Sequence, residues 1–225
     1  MNRTVDAGKT LLVEGPASVK LIAGRSNVLG APVPKDIGII VRRGRTIPFE
    51  TDETSIFDVV MGENSSVDEV SGTTIPESWT TAADEVVHYN GPCIVLVIGD
   101  TDSGKTTLST FLVNSALKLG LKTALIDADL GQADLGPPTT IGMTVLTDFI
   151  MDPFTIKTRD AHFIGLTNPD GSTDLVLSAL AKLKTKTQSA SAEFTVINTD
   201  GWVEGDEAAR FKVSMSETIL SSAVI

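Results

Sequence analysis

Gly99-Asp-Thr-Asp-Ser-Gly-Lys-Thr106 is the stretch on which the reading of the fold turns. It fits G-x-x-x-x-G-K-[ST] in full, and its flanks supply the context that so short a motif requires. Upstream, Cys93–Ile98 is a continuous apolar run, as expected of a parallel strand buried on both faces. Downstream, Thr106–Leu119 keeps helical spacing and stops at Gly120. Strand, glycine loop and helix in that order predict a phosphate cradle. Gly99 and Gly104 let the backbone wrap so that successive N–H groups ring an anion, and the helix adds its positive end. Lys105 brings a mobile charge to the β and γ phosphates, and Thr106 offers a hydroxyl to Mg²⁺. The expected nucleotide-binding set is Gly99, Thr101, Asp102, Ser103, Gly104, Lys105, Thr106 and Thr107. Thr107 either adds a hydroxyl to the α-phosphate or simply starts the helix. Asp100 and Asp102 would repel phosphate if they faced it, so their side chains are expected to point outward.

Working outward, Thr123–Ile126, His162–Leu166 and Phe194–Ile197 read as further buried strands, and Asp174–Lys184 and Glu207–Leu220 as helices. That alternation predicts an open parallel α/β sheet flanked by helices, a P-loop NTPase domain over residues 86–225. Before it the grammar differs. Thr10–Val13, Ser18–Leu21, Ile37–Val41 and Thr46–Phe49 are strand-length and bounded by Gly, Pro or Asp. Residues 1–85 therefore read as a small all-β domain and linker, with Ser55–Met61 the one stretch of helical spacing and 62–85 a polar connection. Arg42-Arg43-Gly44-Arg45 reads as a solvated turn, Cys93 as core, His162 as structural, Trp79 as a linker anchor, and Lys182, Lys184 and Lys186 as one solvated helix face.

The 225 residues hold 18 Lys+Arg against 29 Asp+Glu, a formal charge of −11. Residues 1–90 carry 8 basic and 13 acidic side chains, residues 91–225 carry 10 and 16, so neither half has the basic excess of most nucleic-acid binders. One cysteine excludes an intrachain disulfide and suits a reducing cytoplasm, or a nucleus in a eukaryote. No apolar run approaches the roughly 20 residues of a membrane span.

The second informative stretch is Asp127-Ala-Asp-Leu-Gly-Gln132, which follows the strand Thr123–Ile126. Asp127 and Asp129 are two residues apart, so in extended chain both face the same way. Two carboxylates beside a metal and a phosphate can divide the labour, one steadying the ion and one taking a proton from an attacking hydroxyl. Gln132 is placed to orient that nucleophile.

Gly99–Thr106, then Asp127-x-Asp129-x-Gly131-Gln132, then Pro137-Pro138-Thr139-Thr140-Ile141-Gly142, together resemble the polynucleotide 5′-hydroxyl kinase family, which includes the kinase subunit of the pre-mRNA cleavage complex and the kinases of ribosomal-RNA processing. His162-Phe163 with Thr167-Asn168-Pro169 resembles the family's segment that clasps the RNA backbone. Asn198-Thr-Asp-Gly-Trp-Val203 resembles its Asn-Thr-x-Gly-Trp-Val element. The resemblance is to a prokaryotic or archaeal-like member and covers about residues 91–225. It implies transfer of the γ-phosphate of ATP, or another nucleoside triphosphate such as GTP, to the 5′-hydroxyl of RNA or DNA, among other RNA-processing proteins. It implies that Asp127 serves the metal with Thr106, that Asp129 activates the 5′-hydroxyl, and that Trp202, Thr167, Pro169 and Gln132 hold the nucleic-acid end. The stacking role suits Trp202 on physical grounds too, because aromatics are scarce here and base stacking is worth about 1–3 kcal/mol without reading sequence. A grip on one or two terminal nucleotides needs no broad basic face, which reconciles the acidity with RNA.

In the family an arginine-bearing lid follows the strand that opens near Ala223, so the last residues read as a truncation before the lid and the final strands. Two rivals stand beside the kinase: a non-catalytic ATP-bound scaffold of an RNA-processing complex, and a P-loop GTPase. The GTPase requires an Asn-Lys-x-Asp guanine-reading sequence, which these residues lack.

Overall fold

The computed structural model describes all 225 residues, which group into two compact units, Met1–Glu77 and Ser78–Ile225. The first unit is entirely β: β1 (Asn2–Val5), β2 (Lys9–Glu14), β3 (Ala17–Ala23), β4 (Ser26–Val28), β5 (Ala31–Pro32), β6 (Gly38–Val41), β7 (Thr46–Thr51), β8 (Ser55–Met61) and β9 (Ser66–Ser71). They form two antiparallel sheets, ordered β1-β8-β3-β6 and β5-β4-β7-β2-β9. Phe49 of one sheet meets Phe57 of the other edge-to-face at 5.8 Å, both fully buried, so the sheets share a core.

Two expectations fail here. Ser55–Met61 is a central strand, not a helix. Ser55, Phe57 and Val59 alternate inward and pair with β1 and β3 on either side, and that two-sided ladder overrides the local spacing. Residues 62–85 are not a loop, since they hold β9 and most of a helix, α1 (Glu77–Val87). The domain boundary consequently falls at Glu77/Ser78 rather than after residue 85.

The second unit continues from α1 with β10 (Cys93–Val97), α2 (Lys105–Lys118), β11 (Thr123–Ala128), β12 (Thr140–Leu146), β13 (Asp160–Phe163), α3 (Thr173–Ser189), β14 (Phe194–Thr199), α4 (Gly205–Ile219) and β15 (Ala223–Val224). Six strands make one sheet in the order β13-β12-β11-β14-β10-β15. β11, β14, β10 and β15 are mutually parallel, with every residue of β11 and β14 buried, as a sheet covered on both faces requires. Leu96, Ile126, Ile141, Met143 and Ile197 share a core with α3 and α4, through Leu180, Leu183, Phe211 and Met215. Strand alternation leaves Val95, Leu125 and Val196 to the other face, where α2 packs on β14 and β11. Gly120 ends α2 at φ 77°, donating to the Leu117 carbonyl, as the helix stop predicted.

The sheet is mixed rather than purely parallel. β12 runs antiparallel to β11, and β13 antiparallel to β12. The expected strand at His162–Leu166 is therefore a short, half-exposed edge, with Phe163 77% exposed. No helix is long and apolar enough to cross a membrane.

Candidate active site

The P-loop joins the end of β10 to the start of α2. Its tight wrap uses two left-handed residues, Asp102 at φ 57° and Gly104 at φ 93°. Asp100 and Asp102 are exposed, as expected of side chains turned out of an anion cradle. The Asp100 carboxylate accepts from its neighbour's N–H (Thr101, 2.6 Å), and its carbonyl accepts from the buried Lys105 ammonium (2.6 Å).

Trp79 belongs to this site, not to a linker. Half-buried on the first turn of α1, its ring lies 6.4 Å from that of Phe111 on α2. Its edge would stand 3.7–3.8 Å from a side chain placed on Gly104, which is ordinary contact. The helix before β10 thus braces the loop from outside. An aromatic at the head of a short helix just ahead of a P-loop strand was the available signal for it.

Behind the loop, three side chains form a chain of contacts. Asn198 is the penultimate residue of β14, between β10 and β11 in the sheet, in register with both Val97 and Asp127. Its amide nitrogen lies 3.0 Å from Asp127 Oδ1 and 3.4 Å from Thr106 Oγ1, donating to both. Asp127 is buried, and its oxygens also accept from the N–H groups of Asp129 (3.3 Å), Asp134 (2.7 Å) and Leu135 (3.0 Å). Burial raises its carboxyl to about 6, outweighing these hydrogen bonds, which act in the opposite direction. Asp127 therefore organises the following loop and reaches the Thr106 hydroxyl only through Asn198.

Asp129 differs from its neighbour. It is half-buried, and its Oδ1 accepts from the N–H groups of Gly131 (3.1 Å) and Gln132 (2.9 Å), which fixes the rotamer. Its second oxygen has no partner within the chain. A carboxylate held by one oxygen and open at the other has the form of a general base. Gln132 is exposed beside it.

Of the residues expected to hold the nucleic-acid end, Thr167 reaches this lip. The Thr167 carbonyl passes so close to Gly131 that a methyl there would stand 3.1 Å from it, and Thr167 itself is exposed. Pro169 is buried, and its carbonyl accepts from the Ser172 N–H at the head of α3, so it shapes the segment rather than presenting a surface. Gly201 lies against the P-loop itself, and Trp202 follows, half-buried, its ring 5.8 Å from Phe211 and tilted by 35°. Trp202 borders a groove with Asp170, Thr173, Leu177, Glu207 and Arg210. Asn198 and the buried pair Asp200–Lys212, neither assigned a role from sequence, complete the constellation.

The donor set suits a magnesium ion held mainly by nucleotide phosphates. No group of three or more His, Cys, Asp or Glu could cage a metal, while the Thr106 hydroxyl and the buried Asn198 Oδ1, which has no hydrogen-bond partner, offer neutral oxygens beside the cradle.

Residues 99–225, more than half of the chain, match the family model described as the mRNA cleavage and polyadenylation factor CLP1 P-loop. A polyribonucleotide 5′-hydroxyl-kinase of Methanocaldococcus jannaschii is 32% identical over 145 residues, 64% of this chain and 40% of the relative. A CLP1 homolog of Brugia malayi is 25% identical over 215 residues, 87% of this chain and 50% of the relative. The chain thus spans half or less of the length of these relatives. In a solved structure of the Clp1p–Pcf11p interface, Clp1p superposes on the whole of this chain with a TM-score of 0.80 at 16% identity, covering 60% of the solved chain; this likeness concerns the fold.

Proposed function

Because this chain belongs to the CLP1 P-loop family, we propose that it is the nucleotide- and acceptor-binding part of an RNA 5′-hydroxyl kinase, moving the γ-phosphate of ATP to the 5′ end of RNA. The observation that carries the reading is Asp129, with one oxygen pinned by Gly131 and Gln132 and the other open, on the same lip as the P-loop and the Thr167 segment. In the reaction Asp129 takes the proton of the 5′-hydroxyl. The 5′ oxygen bonds to the γ phosphorus as the bond to the bridging β,γ oxygen breaks, and ADP leaves. Lys105 neutralises charge on the transferring group, and the N–H groups of residues 104–107 at the head of α2 hold the β-phosphate. The Thr106 hydroxyl would hold a magnesium ion, which would supply neutralisation of phosphate charge. Asn198 and Asp127 hold the Thr106 hydroxyl in place, Gln132 and Thr167 orient the acceptor backbone, and Trp202 stacks on the terminal base.

The test is transfer of labelled γ-phosphate from ATP to a 5′-hydroxyl oligoribonucleotide, with a deoxy oligonucleotide and GTP in parallel arms. It is run on this chain and on the native gene product that contains it. Tight ATP binding with no transfer by either protein would sink the enzyme in favour of a nucleotide-bound scaffold.

A further inference from the structure

Lys212 is the least expected residue in the second unit. It projects from the middle of α4, its side chain 6% exposed, into a region otherwise packed with Phe211, Met215 and Ile219. Burying an ammonium costs several kcal/mol even when it is paired, and an apolar side chain of similar length would pack there at less cost. What the cation gains is specific. Its Nζ donates to the Asp200 carboxylate (Oδ2, 2.9 Å) and also to the Asp200 backbone carbonyl (3.1 Å). The other carboxylate oxygen of Asp200 accepts the Trp202 N–H at 2.8 Å. Asp200 is itself buried, so one ammonium closes a two-point clamp on a single residue, and that residue in turn holds the backbone of Trp202. The indole rests on Phe211, the residue before Lys212, whose ring also lies 5.5 Å from the ammonium. The same helix segment therefore fixes the Asp200–Trp202 turn from its backbone side and from its aromatic side.

We propose that Lys212 is a positioning residue for the nucleic-acid end, holding the Asp200-Gly201-Trp202 turn so that the Trp202 indole keeps one orientation toward the terminal base. This rests on the kinase reading for its substrate but not for its geometry. Burial lowers the Lys212 ammonium and Asp200 opposes that, with smaller effects from Lys105 and Asp129, so the clamp stands in the electrostatic field of the residues assigned to phosphoryl transfer.

The experiment separates positioning from simple stabilisation. The chain has two tryptophans, so Trp79→Phe leaves Trp202 as the sole reporter. In that background Lys212→Met strands the Asp200 charge and lowers the melting temperature. Adding Asp200→Asn removes the stranded charge, keeps an oxygen for the Trp202 N–H, and restores most of the melting temperature. The expected result is that the double variant, although folded, does not recover indole order: its near-UV circular dichroism collapses and acrylamide quenching rises at least about twofold. Its KM for the 5′-hydroxyl oligonucleotide rises about tenfold or more, with kcat and the ATP Kd within about twofold. A double variant whose Trp202 spectrum and oligonucleotide KM both match the reporter protein overturns the proposal and leaves the pair as plain packing. A parent chain that transfers no phosphate refutes the kinase reading instead, and the spectroscopic comparison still decides the role of Lys212.

Discussion

Replacing Gly201 by alanine tests whether the Asn-Thr-Asp-Gly-Trp turn and the P-loop are one rigid piece. The backbone of Gly201 lies outside the left-handed region, so alanine carries no torsional penalty there. The obstacle is space: a methyl at Gly201 would stand 2.3 Å from Thr101 Oγ1, 2.7 Å from Thr101 N and 2.8 Å from Thr101 Cα. The hydroxyl can rotate away, but the backbone atoms must retreat by roughly 0.7 Å to reach ordinary contact, which for overpacked sites costs about 1–3 kcal/mol. Thr101 stands in the loop proposed to wrap the triphosphate, and its N–H holds the Asp100 carboxylate there, so the displacement falls on the proposed nucleotide grip. At about 1.4 kcal/mol per decade, ATP affinity should weaken roughly 5- to 140-fold. Calorimetric titration with Mg·ATP measures it directly, and thermal melting shows whether the fold has survived. Thr101→Gly in the same background removes the hydroxyl but not the backbone atoms, so affinity should stay low. An unchanged ATP Kd in Gly201→Ala, with an unchanged melting temperature, would refute this account of the contact.

Three further outcomes are expected. Asp129→Asn keeps an oxygen for the Gly131 and Gln132 N–H groups but cannot take a proton, so kcat for phosphate transfer should fall by about 10²–10⁴ with the ATP Kd little changed. Trp79→Ala removes the outer brace of the P-loop; a half-buried indole should be worth about 1–3 kcal/mol, read as a lower melting temperature and weaker ATP binding, both restored by Trp79→Phe. For Asp127 the folded carboxyl titrates at about 6 against an ordinary 3.8, so the folded chain holds this proton more tightly than the unfolded one. Its stabilisation is full below the unfolded value and is lost as pH rises through about 6, a swing of about 3 kcal/mol at 1.36 kcal/mol per unit. Without magnesium, the urea midpoint of the native chain should fall as pH rises from about 4 to about 6 and level off above that, and Asp127→Asn should flatten that slope.

The nucleotide half of the site was legible because its physics is local. A loop that wraps an anion requires glycines at fixed offsets between a buried strand and a helix, and Gly99, Gly104 and the flanking apolar runs state all of that in about two dozen residues. The acceptor half depended on longer-range contacts and was read by resemblance. That Asp127 would turn toward Asp134 and Leu135, and meet Thr106 only through Asn198, depends on which strands become neighbours. Nothing in the spacing of Asp127 and Asp129 announces it. β12 was missed for a related reason. Thr140–Leu146 alternates well, but Pro137-Pro138 and Gly142 interrupt the apolar pattern, and Gly142 is a glycine because a methyl there would fall 2.0 Å from the Leu135 carbonyl. β9 and α1 were hidden by polarity. One is an edge strand with no fully buried residue, and the other buries only Ala83, Val86 and Val87. Lys182 and Lys186 lie on an exposed helix face as read, and Lys186 pairs with Asp160.

The reversal of β12 has a consequence for how this scaffold can diversify. Two successive antiparallel steps return β13 to the direction of β11, so residues 164–169 emerge on the same rim as the P-loop without a helical crossover. On the kinase reading the triphosphate sits at the parallel centre, from whose strand β11 the Asp129–Gln132 segment also emerges, whereas the Thr167 segment follows β13, the outer strand of an antiparallel ribbon with one open edge. On that reading the donor grip rests on the centre alone, and part of the acceptor grip rests on the ribbon. Insertions, bulges or altered twist in the ribbon can change which polymer end is accepted while the energy source stays the same. Natural variation and engineering should therefore find the acceptor adjustable from residues 130–169 and the donor nearly immovable.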